Sequence, residues 1–450
     1  MDDTRITEAL KTATDTRDVV IGEGALASAG ETFTRNFGDA TAVLVADSIT
    51  WEVAGPQVQA SLRDAGCPMV DPYVYPGRPT LYAKHENCGP LVESLAGHDS
   101  IPIAVGAGTL NDLVKRAAYE VERPFMVVGT AASMDGYTAF GASLAVAGHK
   151  QTMTCPAPRA MVADINVLVD APDHMTASGY GDLIGKIPAG ADWIIADALG
   201  IEPMDDDVWQ RVQGPLRQAV GSPAELQAGD RTAMEALIEG LVMSGLAMQA
   251  AQSSRPASGA EHQFSHLWEM EGLGRDDDPP LSHGFKVGLG TISLAALYER
   301  VLDRDLATID VGAVVDAWPS PAEMEQSVRQ AHDLLADMAV DQTLGKYVTG
   351  EELAERLEHL REFWPTLRQR LADQLLPPEE LEEMLRTAGC PTRPSDIGLS
   401  IEDFRTTYTR SQMIRTRYTL LDLAKETGIL DACVDELFAP GGYWADTGRH

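Results

Sequence analysis

The sequence has few cysteines and no long apolar run, and each shortage excludes some classes of protein. Its five cysteines are scattered and odd in number, and no two form a C-x-x-C pair. This pattern argues for a reducing compartment and against a thiolate metal site. No stretch approaches the roughly 18 uninterrupted apolar residues of a membrane helix, and the first residues lack the apolar core of a secretion signal. We therefore expect a cytoplasmic protein with no membrane partner.

Basic residues are also scarce, at 35 lysines and arginines against 68 acidic residues, for a net charge of −33. Such a surface repels phosphate backbones, so we expect no nucleic-acid partner. An anionic small-molecule substrate would need a local basic pocket to offset this field. With 450 residues and 44% hydrophobic content, the chain is long enough for two domains with full cores.

Short apolar runs alternate with helix-like segments in the first part of the chain. The predicted strands cover residues 16–21, 42–46, 69–75, 101–105, 124–128 and 161–169. This alternation predicts an open α/β parallel sheet. After residue 172 the pattern becomes helical, as at 232–252, 321–338 and 412–427. We predict an N-terminal Rossmann-like parallel-sheet domain over residues 1–172, followed by an all-helical C-terminal domain over residues 173–450.

Two features at the ends of predicted strands indicate a dinucleotide site. Gly106-Ala-Gly108-Thr109 lies at a strand-to-helix junction, where glycines let backbone amides approach a pyrophosphate. The full G-x-G-x-x-G fingerprint is absent, and a plain tight turn explains this motif equally well. Asp47 is placed to accept hydrogen bonds from an adenosine ribose, which favours NAD over NADP; a helix cap is the alternative. The loop at 129–137 follows the next strand, at the edge where open α/β sheets bind ligands.

Three of the ten histidines lie between residues 262 and 283. His262 and His266 are four residues apart and would share one face of a helix. A loop that folds back would bring His283 next to His262. Two imidazoles and a carboxylate form a three-ligand metal site with an open position, and Asp182, between glycines in an apolar helix, is a candidate third ligand. The alternative is that each histidine is an ordinary surface or core residue.

The segment 254–266, Ser-Arg-Pro-Ala-Ser-Gly-Ala-Glu-His-Gln-Phe-Ser-His, resembles the glycerol-1-phosphate dehydrogenase family. That family belongs to the iron-dependent alcohol dehydrogenase and glycerol dehydrogenase superfamily, to which dehydroquinate synthase is related. Four further segments match in order: Gly106-Ala-Gly-Thr-Leu-Asn-Asp, Thr130-Ala-Ala-Ser-Met-Asp-Gly-Tyr, Gly179-Tyr-Gly-Asp-Leu and His283-Gly. The resemblance covers roughly residues 15–300, and the helical tail at 410–424 resembles the bacterial members. It implies a dehydroquinate synthase-like fold.

The resemblance also implies roles for individual residues. The implied ligands of one divalent metal, with zinc expected and nickel or iron as alternatives, are Asp182, His262 and His283. The residues implied to bind the dinucleotide phosphates and the nicotinamide ribose are Gly106, Gly108, Thr109, Asp112, Thr130 and Ser133. His266 would line the pocket, where either it or water relays the proton, and Asp135 would contact the substrate or orient the nicotinamide. The candidate for the substrate phosphate is Arg255, with Lys186 or Lys286 as alternatives. Gly129 departs from the family pattern, which has proline there.

The activity implied by the resemblance is reversible hydride transfer between NAD(P)H and dihydroxyacetone phosphate, giving sn-glycerol 1-phosphate. A homo-oligomer, dimeric or larger, is expected. Three alternatives stay open: a glycerol or polyol dehydrogenase without a phosphate requirement, a sugar-phosphate cyclase related to dehydroquinate synthase, and a non-catalytic protein that binds metal and nucleotide.

Overall fold

The centre of the protein is a sheet of parallel strands. The structure is a computed structural model that describes residues 3–146 and 149–445. The strands of this sheet are β1 (Asp18–Gly22), β2 (Ala42–Asp47), β3 (Tyr73–Tyr75), β4 (Ile101–Gly106), β5 (Met126–Gly129) and β8 (Ala160–Asp164). Their order is β1-β8-β5-β4-β2-β3, with every neighbouring pair parallel. A separate antiparallel hairpin consists of β6 (Ala142–Val146) and β7 (His149–Met153).

The helices that accompany the sheet are α1 (Asp3–Leu10), α2 (Ala29–Phe37), α3 (Ser48–Asp64), α4 (Cys88–Ala96), α5 (Gly108–Glu120) and α6 (Ile165–Val169). The next helices carry the candidate site residues or support them: α7 (Asp173–Ile184), α8 (Lys186–Ala198), α9 (Asp206–Ala219), α10 (Pro223–Gln227), α11 (Arg231–Ala251), α12 (Ala260–Met270) and α13 (His283–Leu302). The last group is α14 (Val311–Asp316), α15 (Pro321–Ala331), α16 (Ala336–Leu344), α17 (Gly350–Gln374), α18 (Pro378–Thr387), α19 (Ile401–Arg410), α20 (Leu420–Glu426) and α21 (Leu430–Phe438). The predicted parallel sheet followed by a helical region is confirmed.

The sheet is buried on both faces, which explains why its strands are continuous apolar runs rather than alternating ones. Leu44 packs on one face with Phe33 of α2 and Val58 of α3. Its neighbour Val43 points to the opposite face, which belongs to a larger core that also contains Leu183 of α7. Consecutive strand residues therefore contribute to two different cores, and the larger core continues into the helical half of the chain.

Three predicted boundaries are wrong for local reasons. The expected strand over 161–169 ends at Asp164, whose side chain accepts a hydrogen bond from the backbone N–H of Asn166 and thereby starts α6. The expected helix over 321–338 is interrupted after Ala331, between α15 and α16. The expected helix over 412–427 is a short 3₁₀ turn, Ser411–Ile414, followed by extended backbone and then α20. Among the helices that the structure describes, none has the length and apolarity needed to cross a bilayer.

Candidate metal centre and nucleotide edge

Asp182, His262 and His283 come together although they lie on three different helices, α7, α12 and α13. One ligand atom from each residue lies within 4.8 Å of the other two. The Nε2 atom of His262 is 3.5 Å from Oδ1 of Asp182, and the ring centroids of His262 and His283 are 5.3 Å apart. Asp182 and His262 are buried, whereas His283 is partly exposed. The cluster is therefore closed on one side and accessible from the other.

Glycines explain how the helices that carry these residues approach so closely. A Cβ atom on Gly284, next to His283, would lie 1.7 Å from the carbonyl oxygen of Ser178 on α7. A Cβ on Gly181, next to Asp182, would lie 2.4 Å from the carbonyl oxygen of Gly284. The two backbones are thus in direct contact, which only glycine permits. This contact sets the distance between two of the three candidate ligands.

Buried glutamates hold the other nitrogen of each candidate ligand histidine. Nδ1 of His262 is 2.7 Å from Oε1 of Glu261, and Nδ1 of His283 is 3.0 Å from Oε1 of Glu269. These contacts leave the Nε2 atoms as the available ligand atoms. Metal-binding histidines in proteins usually have this carboxylate support, which fixes the tautomer and the ring orientation. The donor set therefore fits a divalent cation of borderline softness, such as zinc, nickel or iron.

Asp182 is held as an anion by its surroundings. Its Oδ1 accepts a hydrogen bond from Nζ of Lys186 at 2.7 Å, and its Oδ2 accepts one from the backbone N–H of Asp135 at 3.0 Å. Burial acts to raise the pKa of Asp182, but Lys186 and then His262 hold that pKa well below its usual range. The carboxylate is thus ready to bind a cation without first losing a proton.

Lys186 and Asp135 connect this centre to the sheet. Nζ of Lys186 lies 2.9 Å from Oδ2 of Asp135, and the same carboxylate oxygen accepts a 2.9 Å hydrogen bond from Ser244 of α11. Burial acts to lower the pKa of Lys186, but Asp135 and Asp182 raise it, so the lysine stays charged. Asp135 belongs to the loop after β5 and thereby places that loop against the metal centre.

The glycine motif lies at the carboxyl edge of the sheet, as predicted. Gly106 ends β4, Gly108 begins α5, and the N-cap residue Ala107 offers no side-chain hydrogen bond to the first turn of the helix. The first backbone N–H groups of α5 therefore have no cap and are suited to an anionic group. Thr130, which follows β5, donates its backbone N–H to the carbonyl of Gly106 at 3.2 Å. The two predicted nucleotide segments are thus adjacent.

Three other predicted cofactor residues make contacts within the protein. Oδ1 of Asp47 accepts hydrogen bonds from the backbone N–H groups of Ile49 and Thr50, both at 2.8 Å, and so caps α3. Oδ2 of Asp112 accepts one from the backbone N–H of Ser143 at 3.1 Å, which holds the β6–β7 hairpin. The backbone carbonyl of Ser133 accepts a hydrogen bond from the Ser178 hydroxyl of α7.

Comparison with known proteins establishes the family. The iron-containing alcohol dehydrogenase family matches residues 20–172. Glycerol-1-phosphate dehydrogenase [NAD(P)+] of Halalkalibacterium halodurans is 34% identical over 327 residues, which cover 67% of this chain and 82% of the relative. The enzyme of the same name from Methanosarcina mazei is 32% identical over 71% of this chain and 88% of its own length. The chain belongs to the glycerol-1-phosphate dehydrogenase family.

Solved structures show that this member of the glycerol-1-phosphate dehydrogenase family has the fold of the wider superfamily. Glycerol dehydrogenase from Schizosaccharomyces pombe has a TM-score of 0.59 at 16% identity, covering 97% of this chain and 93% of its own. Maleylacetate reductase from Agrobacterium tumefaciens has a TM-score of 0.60 at 14% identity, covering 94% and 96%. Identities this low carry information on the fold alone.

Arg255, the predicted ligand of the substrate phosphate, has partners within the protein. Arg255 is only 1% exposed, and its two terminal nitrogens donate to the backbone carbonyls of Tyr418 and Asp192 at 2.9 and 2.7 Å. Its Nε atom faces Glu202 at 3.3 Å. The guanidinium therefore joins three segments of the helical half and is enclosed by them. Lys186, the alternative, is fully buried between Asp135 and Asp182, so its charge is already compensated.

His266 lies beside the cluster and next to Arg415, which no local motif in the sequence marks as a site residue. The His266 ring centroid is 5.9 Å from that of His262 and 6.0 Å from that of His283. Nη2 of Arg415 is 3.4 Å from Nδ1 of His266. Burial, and then the Arg415 charge, hold the pKa of His266 well below its usual range. Glu269 was not among the predicted site residues, although its spacing of seven residues from His262, on the same helix face, is a signal that could have revealed it.

Proposed function

We propose that this protein reduces dihydroxyacetone phosphate to sn-glycerol 1-phosphate with NAD(P)H, reversibly, in a metal-dependent reaction. The observation that carries the proposal is the convergence of Asp182, His262 and His283 next to the Asp135 loop. The names of its relatives supply the substrate. Oxidation of the secondary alcohol of glycerol 1-phosphate gives dihydroxyacetone phosphate, so one site would serve both directions.

The proposed metal ligands are Asp182, His262 and His283, with zinc as the proposed metal. A divalent cation held by these residues would supply Lewis-acid polarisation of the substrate's C2 oxygen. Glu261 and Glu269 orient the histidines, and Lys186 balances the charges of Asp182 and Asp135. We propose that Asp135 positions the nicotinamide loop against the substrate. His266, on the accessible side of the cluster, is proposed to pass the proton, either directly or through water.

The proposed dinucleotide site is the carboxyl edge of the sheet. Gly106, Gly108 and Thr109 would receive the phosphates at the uncapped start of α5, with Thr130 and Ser133 beside the nicotinamide ribose. Asp112 would support this edge through the hairpin rather than touch phosphate, because a carboxylate repels one. We propose NAD over NADP, because Asp47 places a negative charge at the end of β2.

We also propose a division into a dinucleotide-binding domain, residues 1–172, and a helical metal- and substrate-binding domain, residues 173–450. The first domain ends between α6 and α7, just after the last strand among the described residues. A homo-oligomer, dimeric or larger, is proposed as well. It is supported by the edge strand β3, whose Val74 is 40% exposed, and by Ile49 and Val53 on α3, each 46% exposed.

The test is a steady-state assay of the metal-loaded protein. We expect oxidation of NADH with dihydroxyacetone phosphate, and reduction of NAD with sn-glycerol 1-phosphate but not with sn-glycerol 3-phosphate. A preference for free glycerol would show instead a polyol dehydrogenase. Turnover of a sugar phosphate without net change in NADH would show a cyclase.

A variant pair connects the activity to the cluster. Asp182→Asn removes a charged ligand and is expected to lose both bound metal and turnover. Asp173→Asn is the same substitution on the exposed first turn of the same helix, and it should retain both. Metal content measured by mass spectrometry reports ligand loss, and a circular dichroism spectrum like that of the wild type excludes unfolding as its cause. Full metal content and turnover in Asp182→Asn would refute the assignment.

A further inference from the structure

A phosphorylated substrate needs a cation near the metal centre, and most cations of this region are already paired. The chain carries a net charge of −33, so an incoming phosphate gains nothing from the overall field. Lys186 is enclosed by two carboxylates, and Arg255 bonds two backbone carbonyls. Lys286 donates to the carbonyl of Leu281 at 3.1 Å and lies 3.9 Å from Glu269.

Arg415 differs from the arginines around it. Arg405 pairs with Asp435, Arg410 with Glu271 and Arg356 with Glu426. In the part of the chain that the structure describes, no carboxylate pairs with Arg415; its contact is the 3.4 Å approach of Nη2 to Nδ1 of His266. Burial lowers the pKa of Arg415 with no opposing effect from an acid. A partly buried guanidinium beside a neutral ring has lost water without gaining an opposite charge, so an anion would stabilise it.

The position of Arg415 is fixed by the backbone on both sides of it. The preceding 3₁₀ turn, Ser411–Ile414, packs against α12, the helix that carries His262 and His266. The backbone N–H of Thr416 donates to Oε1 of Gln342 at 3.0 Å. Arg417 donates to the Ser258 carbonyl at 2.7 Å and to the Ser254 hydroxyl at 2.8 Å. Arg415 thus extends from an anchored segment toward His266.

We propose that Arg415 is the residue that binds the substrate phosphate, beside His266 at the accessible side of the cluster. This inference rests on the proposed function, because it requires a phosphorylated substrate at the metal centre. Three bonds of about 1.5 Å separate C2 of the substrate from phosphorus, so a substrate at the cluster carries its phosphate several ångströms away from the metal. Arg415 lies in that range, 3.4 Å from Nδ1 of His266, whose ring centroid is 5.9 Å from that of His262. The planar guanidinium can donate two parallel hydrogen bonds to phosphate oxygens.

The test compares Arg415→Ala and Arg415→Lys with the control Arg405→Ala. Arg405 lies on the neighbouring helix α19 and pairs with Asp435. In Arg415→Ala we expect KM for dihydroxyacetone phosphate to rise about 10- to 100-fold, with a smaller change in kcat. Arg415→Lys keeps the charge but loses the fork, so its KM should rise less. The KM for unphosphorylated dihydroxyacetone and the metal content should stay at the wild-type values, and Arg405→Ala should match the wild type throughout.

Inorganic phosphate is a second probe of the same position. We expect it to compete with dihydroxyacetone phosphate in the wild type and to compete at least tenfold less well in Arg415→Ala. An unchanged KM and unchanged phosphate inhibition in Arg415→Ala would overturn the inference. If that variant does not fold, Arg415→Lys decides: a KM rise for the phosphorylated substrate alone supports the inference, and an unchanged KM overturns it.

The two proposals fail in different ways. If the wild type does not turn over dihydroxyacetone phosphate, the proposed function fails whatever Arg415 does. Calorimetric titration with inorganic phosphate then compares the affinities of the metal-loaded wild type and Arg415→Ala. Weaker phosphate binding in the variant supports the anion site, and equal binding overturns it. If the wild type turns over the substrate and the Arg415 variants bind it normally, only the present inference fails.

Discussion

Glu261 and Glu269 decide which nitrogen each candidate ligand histidine presents to the cluster. Both carboxylates are buried and each contacts an Nδ1 atom. A histidine without such a partner would be free to rotate or to change tautomer, and it would bind metal less well. The glutamates are therefore expected to contribute to metal affinity without touching the metal.

We predict that Glu269→Gln lowers metal affinity by about 10- to 100-fold. Glutamine keeps an acceptor for Nδ1 of His283 but removes the charge that makes the imidazole a stronger ligand. The measurement is competition for zinc between the apoprotein and a chelator of known affinity. Glu271→Gln, two residues further on and paired with Arg410 instead, is the matched control and should bind zinc like the wild type. Equal affinities in both variants would show that Glu269 has no such role.

The candidate ligands were predictable because few residue types bind metal and the motifs around them are distinctive. Partners that depend on folding were not. Arg255 lies in the same motif as His262, yet its contacts are with Asp192 and Tyr418, and nothing in the local sequence reveals them. Arg415 lies 149 residues after His266, so only the fold brings the two together.

At the level of elements, the crossing of α7 and α13 sets the distance between Asp182 and His283 in the candidate metal centre. We predict that Gly284→Ala destabilises the protein by about 3 kcal/mol and weakens metal binding. The added methyl would meet the Ser178 carbonyl at 1.7 Å, and a backbone atom cannot move aside cheaply. Urea unfolding and zinc titration of the same samples would measure both effects.

Gly89→Ala is the control for that substitution. Gly89 lies in α4, and a Cβ there would have no heavy atom within 4 Å. Alanine is the better helix former, so this variant should equal the wild type or exceed its stability by up to about 1 kcal/mol. A loss in Gly284→Ala no larger than the change in Gly89→Ala would contradict the proposed backbone contact.

A buried acid on α20 gives a pH prediction. Burial raises the pKa of Glu426 to about 7, against the opposing effect of Arg356. The folded state thus binds this proton more tightly than the unfolded state, in which the pKa is near 4.5. The resulting stability is fully present below pH 4.5 and is lost as the pH rises through 7, at a cost of about 3 kcal/mol.

We therefore predict that Glu426→Gln unfolds with a weaker pH dependence between pH 5 and 8 than the wild type. Urea unfolding of both proteins at several pH values in this window would measure it. Glu358→Gln is the control, because Glu358 is exposed and pairs with Arg361. If the wild type and Glu426→Gln have parallel stability profiles, Glu426 does not bind its proton as the burial implies.

Element boundaries were predictable where one local signal dominated. The buried strands β2 and β4 follow from uninterrupted apolar runs that end at Asp47 and Gly106. The run at 161–169 gives no such signal, because the side chain of Asp164 caps α6 while the apolar pattern continues. The break between Ile414 and Leu420 has a tertiary cause as well, since Leu420 donates its backbone N–H to Asp192, 228 residues earlier.

At the scale of the whole molecule, the large negative net charge lowers the stability of the folded state. With a net charge of −33, the folded state repels itself, and salt relieves that repulsion because the Debye length falls from about 10 Å at 0.1 M to about 3 Å at 1 M. We predict that the melting temperature rises by several degrees over this range. Lithium, sodium and potassium chloride at equal ionic strength should give equal shifts. Shifts that follow ion identity instead would exclude screening as the cause.

The proposed division at residue 172 does not divide the core. The largest hydrophobic cluster contains Val127 of the sheet, Leu183 of α7 and Leu421 of α20. The composition change at the boundary was visible in the sequence, whereas the shared core was not, because apolar content does not reveal which surfaces pack together. The two halves are therefore expected to unfold together.

The shared core has a consequence for how the protein is made. It also contains Ile6 and Trp444, near opposite ends of the chain, while the candidate metal ligands occupy positions 182 to 283. A ribosome releases the amino end first, so the three ligands leave the exit tunnel long before the helices that complete the interior. A chain interrupted after residue 300 would already contain every proposed ligand but would lack the later helices that share their core. We therefore expect stable metal binding only after those helices have been synthesised.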